Sequence, residues 1–74
     1  NPITTITVYF ETNCNTSLQV FDMNGRLIDS LFDGEIESGT HEFHWNGNNQ
    51  PSGVYFIKLL SGDYNQTRKM VLLK

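Results

Sequence analysis

The sequence is poor in the residues that small folds use for covalent support or for chemistry. It holds a single cysteine, Cys14, so no disulfide can close within one chain. Cys14 sits in "TNCNTS", a polar stretch that reads as a loop, and a free thiol in a turn is expected there. Basic residues number five in 74 and the net charge is −3. That balance excludes a nucleic-acid surface, which needs a basic patch or stripe. No apolar run approaches the roughly 20 residues of a membrane-crossing helix, so membrane insertion is not expected. Helical periodicity is missing as well: no window of about a dozen residues repeats apolar positions at i, i+3, i+4 and i+7. The chain opens on Asn1 rather than Met. It reads as one domain, residues 1–74, cut from a longer protein, with any targeting segment upstream.

What is present is strand after strand. In "TTITVYFET", Ile6, Val8 and Phe10 fall on one face and Thr7, Tyr9 and Glu11 on the other, the period-2 pattern of a half-buried strand. Further strands are expected near 16–22, 26–32, 39–45, 53–60 and 64–73 after the first at 4–11, with a short additional one at 34–37. Turn chemistry separates them. Asn24-Gly25 suits a type I′ turn, whose central positions both need positive φ. Asp33-Gly34 punctuates the next junction, Asn46-Gly47 opens the polar loop "NGNNQPSG", and Ser61-Gly62-Asp63 makes the last hairpin. Short connections make neighbouring strands antiparallel. The fold class is all-β: a small Ig-like antiparallel β-sandwich of about six or seven strands.

The stretch "SGVYFIKLLSG", residues 52–62, is nearly all apolar around one lysine. A strand flanked on both sides tolerates such a run. Tyr55, Ile57 and Leu59 should face the core, because Lys58 marks the other face as reaching solvent. Gly53 is expected where a Cβ would clash as the chain enters this strand.

Candidate chemistry is thin. His41 and His44 lie three apart in one strand, so they point to opposite faces and cannot share a metal. His41 shares its face with Gly39, Phe43 and Trp45, which suits a half-buried structural histidine. "DMNG", residues 22–25, matches the start of a calcium loop but lacks the bidentate Glu, so a turn is expected. Trp45 could be half of a sugar-stacking platform, but its alternation with Phe43 favours the core. Asn15-Thr16-Ser17 and Asn65-Gln66-Thr67 match a glycosylation sequon, a motif short enough to arise by chance. No nucleophile elbow or phosphate loop occurs. Neither catalysis nor a cofactor is expected.

Taken in order, "NPIT", "VFDMNGRLI", "GTHEFHWNG", "PSGVYFIKL" and "TRKMVLLK" resemble the C-terminal sorting domain of the type IX secretion system of Bacteroidetes, over essentially the whole chain. Asn1 and Pro2 resemble its opening. Asp22, Gly25 and Arg26 match its early turn, and Gly39, His41 and Trp45 its G-x-H-x-x-x-W strand. Ser52, Gly53, Val54 and Tyr55 match its most recognisable segment; Thr67, Lys69, Val71, Leu72 and Lys74 match its ending. Asn46 departs from the family's usual Asp.

The resemblance implies a signal rather than an activity. The domain would end a larger secreted protein and cross the periplasm with it. The type IX translocon would then recognise it and send the passenger to the cell surface or medium. In many members a sortase-like cysteine protease removes the domain; the bond cut would lie upstream of Asn1. On this reading Met70 and Leu72 pack inward, while Lys69, Val71, Leu73 and Lys74 form the surface that the translocon reads. The competing reading is an Ig-like module that binds glycan or protein at the cell surface. It would need a shared exposed platform among Tyr9, Trp45, Tyr55 and Tyr64.

Overall fold

The computed structural model describes residues 3–73. Each alternating segment forms a strand: β1 (Ile3–Phe10), β2 (Cys14–Asp22), β3 (Leu27–Ile36), β4 (Gly39–Asn46), β5 (Gly53–Ser61) and β6 (Tyr64–Leu72). β1 pairs with β4 in a two-stranded sheet, and the other four form a second sheet in the order β3-β2-β5-β6. Every pairing is antiparallel. The chain changes sheet at residues 11–13, 37–38 and 47–52 and returns by hairpin within the larger sheet. The result is a β-sandwich of Ig-like type, as the sequence led us to expect.

The core lies between the sheets. Phe10, Leu18, Val20, Ile36, Trp45, Tyr55, Ile57, Leu59 and Leu72 are buried there. β5 lies between β2 and β6, which explains its apolar run. Tyr55, Ile57 and Leu59 fill the core, and Lys58 shares the opposite, half-buried face with Val54 and Phe56.

Four local expectations need correction. Asp33-Gly34 does not end a strand. It sits inside β3, where Ser17 faces Asp33 and Thr16 faces Gly34, so the expected short strand at 34–37 is the continuation of β3. An edge strand has one partner to satisfy and accepts such residues on its solvent side. Cys14 is not in a loop. It opens β2, half-buried, with its Sγ 2.8 Å from Ser61 Oγ and 3.4 Å from Thr16 Oγ1.

The Asn24-Gly25 turn is not type I′. Only Gly25 has positive φ, at 85°. The Gly25 amide donates to the Asp22 carbonyl (3.0 Å) and the Asp22 amide to the Arg26 carbonyl (2.9 Å). This makes a three-residue loop, a type I turn closed by a glycine bulge. Asp22 decides the outcome: its Oδ1 accepts from the amides of both Asn24 and Arg26, each at 2.9 Å. At Gly53 nothing lies within 4 Å of a Cβ position. What that position uses is its φ of +158°, which side-chain-bearing residues seldom adopt.

Candidate functional site

β6 is an edge strand, paired among the described residues with β5 alone. Its register sets Leu72 opposite Gly53, Val71 opposite Val54, Met70 opposite Tyr55 and Lys69 opposite Phe56. The pleat then divides its side chains. Leu72 is buried and Met70 half-buried against the core. Lys69 points outward and is exposed, and Val71 and Leu73 are 60% and 73% exposed. Lys74, the fourth residue of the expected recognition row, lies outside the described residues.

The outward row continues into the sheet. Val54 and Phe56 of β5 and Phe21 of β2 share its face and are half-buried, and Leu27 of β3 is 53% exposed beyond them. The outer face of the larger sheet thus carries an apolar strip that ends at Val71.

Trp45 and Gly47 hold the end of β6 in place. The Trp45 ring packs on Tyr55 at a centroid distance of 5.1 Å. Gly47 passes so close to Leu72 that an added Cβ would lie 2.9 Å from its Cδ2. The Tyr55 hydroxyl donates to the Pro51 carbonyl at 2.6 Å and ties the same loop down. With Leu72 enclosed in this way, its neighbours, Val71 in β6 and Leu73 just beyond the strand, are left exposed.

The motif residues divide between the two ends of the sandwich. Asp22 lies across from Tyr55, and Tyr55 across from Met70. The Asp22–Gly25–Arg26 turn, Gly53, Tyr55 and Trp45 therefore gather at the β6 end. Arg26 Nε donates to Asp22 Oδ2 at 2.9 Å. The Arg26 amide first, then its guanidinium and the Asn24 amide, hold the Asp22 carboxyl below its ordinary value against a smaller opposing effect of burial. Gly39 and His41 lie at the far end. His41 Nε2 donates to the Glu37 carbonyl at 2.7 Å, and its ring meets Phe10 edge-on at 5.7 Å. These contacts tie β4 to the β3–β4 crossover and to β1. His44, on the other face, sits 3.2 Å from Thr5 Oγ1. Among the described residues no group of three or more His, Cys, Asp or Glu could hold a metal.

Residues 1–73 match the family model of the secretion system C-terminal sorting domain. The chain belongs to this family. No curated protein and no solved structure matches it. The sorting domain is a C-terminal signal for type IX secretion. It works with that machinery on an N-terminal passenger and directs export to the cell surface or medium. The glycan-binding alternative loses two of its four aromatics. Trp45 and Tyr55 are core residues at 2% and 4% exposure, which leaves Tyr9 and Tyr64 at the surface.

In the sequence Gly47 is only the opening of a polar loop. Nothing in "WNG" reveals that a leucine from the last strand packs onto that glycine. Phe10 likewise gave no sign that it would support His41, more than two dozen positions away in the chain.

Proposed function

We propose that the outward row of β6, Lys69, Val71 and Leu73 with Lys74 beyond it, is the surface that the type IX translocon reads. The rest of the sorting domain then acts as a rigid, non-catalytic holder for that row. One observation carries this reading. A folded strand buries Leu72 yet leaves the flanking Val71 and Leu73 in water, and large apolar groups left exposed beside one another mark an interaction site. A signal shared by unrelated passengers has to be read by shape, backbone and a small common patch, and an edge strand offers all three.

On the same reading, residues 1–74 form a single domain at the end of a larger secreted protein and cross the periplasm folded. In members that are anchored, a sortase-like cysteine protease removes the domain at a bond upstream of Asn1.

The test is a fusion of residues 1–74 to a signal-peptide-bearing fluorescent reporter in a type IX-competent bacterium. The full fusion should reach the surface or medium. Val71→Asp with Leu73→Asp should hold it in the periplasm while the purified domain keeps its melting temperature. Deleting residues 69–74 should also block export, but that deletion removes Met70 and Leu72 from the core, so the point variants decide. Normal export of the folded double variant would overturn the assignment of the row.

A further inference from the structure

A four-stranded sheet faces a two-stranded one. With strands about 4.8 Å apart, two strands cannot cover four. On the β6 side the uncovered strip is an open groove. Two adjoining hollows of about 290 and 490 Å³ make it up. β1 lines one side from Thr4 to Phe10, and Arg68 and Met70 of β6 line the other. Ile57 and Leu59 lie on its floor.

The wall formed by β1 is a free strand edge, since β4 is its only paired neighbour among the described residues. It is also the edge without protection. Free edges are normally blunted by charged side chains or proline. β3 carries Asp29, Asp33 and Glu35, β4 carries Glu42, and β6 carries Arg68 and Lys69. β1 reads ITTITVYF, with no charge and no proline. Six consecutive β-branched residues, Ile3 to Val8, keep it extended.

The Met70 end of the groove also has a sign: Arg68 and Lys69 line it, while Glu11 lines the Phe10 end. Arg68 lies exposed on its wall with no carboxylate partner among the described residues. With its amide turned to the orientation that satisfies both neighbours, Gln66 bridges Arg68 to Tyr64: its oxygen then accepts from Arg68 Nε (2.9 Å) and Nη2 (3.1 Å), and its nitrogen donates to the Tyr64 hydroxyl (2.6 Å). The guanidinium is thus held in place and its charge is unspent.

We propose that this groove takes one extended peptide strand from a second polypeptide, paired to the free edge of β1. Alternate apolar side chains of that strand rest on Ile57, Leu59 and Met70, and a carboxylate between them meets Arg68. Strand addition supplies affinity through the backbone and selectivity through the alternate side chains. The β1 edge of a second copy carries no carboxylate to meet Arg68, so the occupant is a carboxylate-bearing peptide segment rather than a self-paired β1. This surface shares Lys69 with the outward row of β6 but neither Val71 nor Leu73.

The test uses isotope-labelled residues 1–74 and the synthetic peptide Thr-Val-Thr-Glu-Thr-Val-Thr. Binding should slow amide exchange at alternate positions between Thr4 and Phe10 and shift the Ile57, Leu59 and Met70 methyl signals. Replacing the peptide's Glu with Lys should weaken binding about tenfold, the scale of one charge-assisted hydrogen bond. Arg68→Glu should reverse that preference. Any one of these results overturns the proposal: protection on β3 or β6 instead of β1, no response up to roughly millimolar peptide, or indifference to either charge swap. Concentration-dependent protection of β1 without peptide overturns it in favour of self-pairing. None of these results bears on the export assay, so the two readings fail separately.

Discussion

Gly47 lies against Leu72, and that contact sets which side chains of the last strand reach water. A methyl group at position 47 would come within 2.9 Å of Leu72 Cδ2 and 3.2 Å of both Leu72 Cδ1 and Trp45 Cη2. Gly47→Ala should therefore cost about 1–3 kcal/mol through overpacking. Each kcal/mol should lower the melting temperature by about 4–8 °C in a domain of this size. Exchange at the β6 amides should rise first, because Leu72 has to move. An unchanged melting temperature would show that the loop yields without cost.

Tyr55 joins the core to the β4–β5 loop through its bond to Pro51. Tyr55→Phe keeps the ring on Trp45 and leaves the Pro51 carbonyl to water. The expected loss is about 1 kcal/mol by denaturant unfolding. Trp45→Ala removes the largest fully buried side chain and should cost about 3–5 kcal/mol. That is enough to unfold a domain of ordinary marginal stability. Similar losses for the two variants would show that the Trp45 site refills.

Asp22 makes the β2–β3 loop sensitive to acid. Its carboxyl titrates below the ordinary range in the folded chain, first because of the Arg26 amide. A group with a depressed folded pKa adds stability above its unfolded pKa and loses it as pH falls through the folded value. Below about pH 4 the wild type should therefore lose more stability than Asp22→Asn. Carbon NMR should place the Asp22 midpoint below that of an unstructured peptide containing the same residues. Equal pH slopes for the two proteins would remove Asp22 from this role.

Gly25 carries the positive φ that closes the same loop. Gly25→Ala should cost about 1–2 kcal/mol from that backbone conformation, although no neighbour lies within 4 Å of the new Cβ. Gly25→Asn should recover part of the loss, because Asn tolerates positive φ better than Ala. Equal stability of the Ala and Asn variants would count against a backbone origin.

The alternation of apolar and polar residues, together with Gly and Asn-Gly punctuation, was enough to place six strands. It also showed that Tyr55, Ile57 and Leu59 face inward. Side-chain direction in a strand is a local property, repeated every two residues, so it is written along the chain. The ordered motifs likewise carried the family. The details that failed depend on what lies across from a residue. Asp33-Gly34 is strand because β2 runs beside it, and Cys14 is strand because Ile36 of β3 lies across from it. The loop at Asn24-Gly25 follows the Asp22 carboxylate rather than the dipeptide. Most of all, nothing local tells β1 to pair with β4 and leave its other edge open above β6. Packing two sheets of unequal width around Trp45 made that choice, and the groove is its consequence.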